Sequence, residues 1–210
     1  QKMERFRSPT SVSSGKPHRM GVNAYACSTC PMPVVGIGPR FPPGQREGVP
    51  DNLLYLVDTT ASRKCQLIAK PTMLTQPYAV WLVQNTRAMD AIVFARVVTG
   101  SKADTYSAPL DGRTAAMLSA LCSASLTFKS ETCHRRGMDG VWYYAAHSES
   151  TGAYATAYFW SPDPDGVPGA LLKLLVTLRD YAVVPESLRA TKWVELQNAA
   201  IVLDRVVSQN

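Results

Sequence analysis

The stretch Gly140–Ala182, GVWYYAAHSESTGAYATAYFWSPDPDGVPGALLKLLVTLRDYA, decides the fold. It reads as strand, polar connection, strand, proline-rich turn and helix. Val141–Ala146 and Ala153–Trp160 are rich in aromatic residues and flank the polar run His147–Gly152, which suits a hairpin. Alternation along the second strand places Tyr154, Thr156, Tyr158 and Trp160 on one face and Ala153, Ala155, Ala157 and Phe159 on the other. The small face invites a closely packed helix. Ser161-Pro-Asp-Pro-Asp-Gly-Val-Pro168 then stops the strand, and Pro168 falls where a first helical turn tolerates proline. Leu171, Leu174, Leu175, Leu178 and Ala182 follow at spacings of three and four, a stripe that must be buried.

Upstream, short apolar runs predict consecutive antiparallel strands over Leu53–Asp58, Lys64–Lys70, Tyr78–Gln84 and Ala91–Thr99, separated by Thr59–Arg63, Pro71–Pro77 and Asn85–Asp90. A meander is the expected topology. Asp111 stands where an N-cap would, ahead of a helix over Thr114–Leu126 with Met117, Leu118, Leu121 and Ser125 at helical spacing. A last helix over about Glu186–Val207 carries Trp193, Leu196, Ala200, Leu203 and Val207 at alternating spacings of three and four. This stripe would pack on the chain's own sheet or form the seam of a homodimer.

Eight of the fifteen prolines lie in residues 1–52. At that density backbone donors are lost and φ is fixed, so an irregular arm is expected, with Met32–Ile37 and Phe41 apolar enough to dock. The fold class read from the sequence is therefore α+β: an antiparallel sheet of about five to seven strands against two or three helices, with residues 1–52 as a Pro-rich basic arm and 53–210 as one domain.

The formal net charge of +6 is concentrated in residues 1–50 of that arm: Lys2, Arg5, Arg7, Lys16, Arg19, Arg40 and Arg46 stand against Glu4 and Glu47. The rest of the chain is close to neutral, which argues against nucleic-acid binding, since phosphate recognition needs a concentrated basic face. No window of about 18 apolar residues is present, so no transmembrane helix is expected. The chain begins at Gln1 and contains five cysteines. A cleaved signal peptide or a trimmed recombinant boundary accounts for the first, and an oxidising compartment, periplasmic or secreted, is the expectation from the second.

Cys27-Ser-Thr-Cys30-Pro31 is the nearest thing to a motif. A redox pair should open a helix after a strand, and a zinc site needs two further ligands. His18, Cys65, Cys133 and His134 fall in no second CxxC or HxxxH spacing, so disulfides are expected, with no metal and no cofactor. Cys122 and Cys133, close in sequence, are the preferred pair, leaving Cys65 to bond Cys27 or Cys30. No GxSxG elbow marks a nucleophile. The sharpest catalytic arrangement would be His147 with Glu149 and Asp139 at the hairpin mouth, against the simpler reading of a solvated loop histidine. No catalytic residue is assigned. Gly36-Ile-Gly38-Pro39 lacks the strand-to-helix setting of a phosphate cradle. Of the aromatic set Trp142, Tyr144, Tyr154, Tyr158 and Trp160, most belongs to core or cross-strand pairs, and any exposed part suits recognition.

The order Asp139-Gly140, Trp142-Tyr143-Tyr144, Phe159-Trp160-Ser161-Pro162 and the helix Leu171–Ala182 resembles small exported bacterial proteins. Some of these serve as periplasmic immunity proteins or inhibitors of cell-wall-degrading or other toxic enzymes. The resemblance implies a sheet-and-helix scaffold that presents a loop or sheet edge to another protein. The expected function is thus a non-enzymatic exported binding module with a protein partner, its candidate surface drawn from His147, Glu149, Tyr154, Tyr158 and Trp160. The alternatives are a structural subunit of a bacterial envelope or secretion complex, and an envelope hydrolase using His147.

Overall fold

The computed structural model describes residues 36–37, 63–70, 76–84, 90–127, 141–148, 153–162 and 164–209. The strand expected at Leu53–Asp58, Glu149, Cys27, Cys30 and Cys133 lie outside them. Six long strands and one two-residue strand form an antiparallel sheet: β1 (Gly36–Ile37), β2 (Arg63–Lys70), β3 (Tyr78–Gln84), β4 (Asp90–Thr99), β5 (Lys102–Asp111), β6 (Trp142–Ser148) and β7 (Ala153–Trp160). The spatial order is β1-β7-β6-β2-β3-β4-β5. The expected α+β architecture is present.

The chain lays β2 to β5 down as a meander, crosses the sheet through a helix, and adds the β6–β7 hairpin to the opposite edge of β2. The two-residue β4–β5 turn begins at Gly100, whose φ of 61° is open to glycine without strain. Within the proline-rich arm the described pair Gly36–Ile37 is strand rather than irregular, bonded to Tyr154 and Ala153 of β7.

Three helices follow the sequence pattern: α1 (Gly112–Thr127), α2 (Val167–Val183) and α3 (Arg189–Ser208), the last preceded by a 3₁₀ turn at Glu186–Leu188. Asp111 caps α1 as expected, its Oδ1 accepting the Thr114 N–H at 2.9 Å. Pro168 sits in the first turn of α2. The whole leucine stripe Leu171, Leu174, Leu175, Leu178 and Ala182 is buried. In α1 the buried face is Ala115, Leu118, Cys122, Ser125 and Leu126. Met117, expected on that face, is exposed, because it precedes Leu118 by one residue and so lies about 100° around the helix.

All three helices lie on one side of the sheet. Helices α1 and α2 contact the strands, while α3 packs on α2 and α1 as a third layer. Leu196, Ala200 and Leu203 are buried there, and Trp193 and Val207 pack against the same core. One expectation is corrected by this. The α3 stripe rests on helices instead of the sheet, and its residues Leu196, Ala200 and Leu203 are buried within their own chain.

Candidate functional site

Two side-chain links tie α1 to the sheet. Cys122 is disulfide-bonded to Cys65 of β2. One turn earlier on α1, Ser119 Oγ lies 3.0 Å from His147 Nε2 of β6. The register explains why these links are neighbours: Gln66 opposes Ala146, so Cys65 and His147 occupy adjacent strands at the same level. Residues 119 and 122, three apart on α1, face that level from above.

The disulfide corrects the preferred Cys122–Cys133 pair and the expected bond from Cys65 to Cys27 or Cys30. Proximity in sequence favoured Cys133, but the meander returns α1 over β2 and brings together cysteines separated by 57 residues. Closing a loop of that length removes unfolded-chain entropy worth about 4 kcal/mol.

His147 is not a loop residue. It continues β6, opposite Ala155 of β7, and only 7% of its surface is exposed. The register also separates the candidate binding set. His147 meets α1 on the helix face, whereas the positions of Tyr154, Tyr158 and Trp160 pair with Ser148, Tyr144 and Trp142 and so belong to the other face. The structure therefore does not gather these residues into one site. A serine hydroxyl at 3.0 Å from an imidazole is a nucleophile–base distance. However, Ser119 lies in the middle of α1, where backbone N–H groups are bonded within the helix and offer no oxyanion donor. The pair behaves as a buried polar link between helix and sheet.

A second polar group lies at the other end of the helix face, where Tyr78 and Tyr143 stand on either side of Ala69. The Arg179 guanidinium sits 4.3 Å from the centre of the Tyr78 ring. It also donates from Nη2 to Asp180 Oδ1 at 2.6 Å. Burial pushes the Tyr78 hydroxyl far above its ordinary range, a rise that the positive charge of Arg179 only partly offsets. Tyr143 is raised by the same cause. Because Arg179 is engaged by both the ring and the carboxylate, this cluster fastens α2 to the sheet and leaves no open charge for a ligand.

The free edge of the sheet is guarded. On β5, the Pro109 carbonyl accepts from Tyr181 Oη at 3.0 Å and the Ser107 carbonyl accepts from Arg189 Nη2 at 3.1 Å. Pro109 itself has no N–H to offer, so strand addition along this part of the edge is blocked.

The surface carries one conspicuous apolar row. Of the seven large hydrophobic residues exposed among the described residues, four belong to a single segment: Leu188 in the turn before α3, and Val194, Ile201 and Val202 on it. Val194 and Ile201 are seven residues apart, two helical turns, and so lie in line on the outer side of α3. Sequence reading found the inner stripe of this helix and passed over the outer one, though the spacing of seven was there to be counted. Among the described residues no group of three or more His, Cys, Asp or Glu could hold a metal ion, and no helix is long and apolar enough to cross a membrane. Comparisons with protein-family models, curated proteins and solved structures return no match to this chain.

Proposed function

We propose that this protein is a non-enzymatic protein-binding module of an oxidising, extracytoplasmic compartment, of the immunity or inhibitor type, and that it meets its partner through the outer side of α3. The observation that carries the reading is the exposed set Val194, Ile201 and Val202 on α3, with Leu188 in the turn before it: apolar surface concentrated on one segment is what protein contacts use, whereas scattered exposed hydrophobics need no explanation. Behind this row α3 is fixed to α2 and α1 through buried Leu196, Ala200 and Leu203, so the surface is presented by a rigid layer. The Cys65–Cys122 bond supports the compartment, since such a bond persists where thiols are oxidised. The hydrolase alternative loses support because His147 is enclosed beneath α1, and the envelope-subunit alternative shares the same α3 surface with a different partner.

The experiment compares the native chain with V194D/I201D, both tagged and recovered from the envelope of the native host, with bound proteins identified by mass spectrometry. The native chain is expected to retain one partner in stoichiometric amount and to inhibit that partner's enzymatic activity, with both effects lost in the variant. Retention of the same partner by both chains, or of none by the native chain, would sink the reading.

A further inference from the structure

The guard on β5 covers only half of the strand. Thr99 opposes Lys102 across the two-residue turn, so Ala103, Thr105, Ser107 and Pro109 hold the positions whose backbone groups point away from β4. The two carbonyls that accept from Arg189 and Tyr181 are indeed those of Ser107 and Pro109. Between Ser107 and the turn, no described side chain bonds the outward backbone of Ala103 or Thr105, and Lys102–Ser107 are exposed throughout. Two amide N–H groups and two carbonyls are therefore open to another strand. Charge of one sign along such an edge would repel a copy of itself. Here the signs alternate: Lys102 and Asp104 share the helix face with Ala108 and Leu110, and neither has an ion-pair partner among the described residues.

We propose that Ser101–Thr105 is a self-pairing edge, where a second copy of this chain adds its own β5 antiparallel about a two-fold axis through Ala103. Three registers use the open groups, and two are disfavoured. Centred on Thr105, pairing would ask the Ser107 carbonyl, already held by Arg189, to accept again. Centred on Asp104, it would set two aspartates face to face, a destabilising like-charge pair. Centred on Ala103, it sets Lys102 of each copy opposite Asp104 of the other, in the non-hydrogen-bonded pairs where side chains come closest, while Ala103 exchanges two backbone bonds with its counterpart. Tyr106, 37% exposed and next on the same face, then overhangs the second copy's turn at Gly100, where a Cβ would meet nothing within 4 Å. The Ser107 positions of the two copies fall eight residues apart along the strands, about 26 Å, which keeps the clamped halves of the edges from meeting. The contact is short and polar, so the dimer is weak and reversible.

This inference does not use the outer side of α3, and its test needs no other protein. Sedimentation velocity of the full native chain over a concentration series should show a reversible monomer–dimer equilibrium. Asp104→Lys and Lys102→Asp should each weaken it about tenfold, because each sets like charges across the axis. The double variant K102D/D104K puts opposite charges back in register and should recover the native constant. Ala103→Pro removes only an outward N–H and should abolish the dimer, a readout independent of charge. V194D/I201D should dimerise as the native chain does, so failure of the α3 reading would leave this result standing. A native chain that stays monomeric, a double variant no better than the single ones, a dimer that survives Ala103→Pro, or one lost in V194D/I201D would each overturn the proposal.

Discussion

Asp111 closes β5 and opens α1 with one carboxylate. Hydrogen bonds from Thr114 hold that carboxyl below its usual pKa. With a depressed folded-state value, the stabilisation is complete above the unfolded carboxyl pKa of about 3.9 and is lost as pH falls through the folded value. Asp111→Ala is expected to cost about 1 kcal/mol at pH 7, measured by urea unfolding, with the gap from the native chain shrinking below pH ~4. The Ser119–His147 pair sets a different expectation. Removing either partner breaks this hydrogen bond, so Ser119→Ala should cost about 1 kcal/mol and His147→Ala, which also empties buried volume, about 2–3 kcal/mol. The double variant should cost less than the sum, and additivity in the cycle would show that the two side chains do not interact. This pair was invisible in the sequence for a physical reason. The run His147-Ser148-Glu149 is as polar as a loop, and the serine that satisfies the histidine lies 28 residues away.

At the scale of the element, α2 could be read directly because its leucines repeat densely at 3.6-residue spacing and all of them are needed by the core. Strand β5 could not. Its first six residues, Lys102–Ser107, are exposed, so no alternation marks them, and Pro109 argues against a strand until its place on an outer edge is known. The link between β2 and α1 carries the clearest prediction at this scale. C65A/C122A removes the loop constraint and should lower stability by about 4 kcal/mol. For a domain of this size that is a fall in Tm on the order of 10 °C by calorimetry. Reductant should shift the native chain to the same Tm, and a native chain indifferent to reductant would count against the bond.

The described residues form three layers: sheet, α1 with α2, and α3. The outermost layer is held mainly by side chains such as Leu203, which is fully buried. Leu203→Ala should cost about 3 kcal/mol in urea unfolding, whereas V194D/I201D should leave the midpoint nearly unchanged, which separates the helix's structural side from its contact side. Layering was legible from the sequence only as far as the counts of strands and helices, since which helix rides on which is decided by strand order. That order has a consequence for synthesis. Strand β2, the centre of the finished sheet, is made before every strand that borders it, and its β6 neighbour emerges only after the meander and α1. While the nascent chain waits for the hairpin, one edge of this strand is open to pairing with other chains. The cations at its two ends, Arg63 and Lys64 at the start and Lys70 at the finish, stand where gatekeeper charges discourage such pairing. Cys65 and Cys122 are both present by the time α1 is complete, so oxidation can seal the meander into a ring before the hairpin arrives.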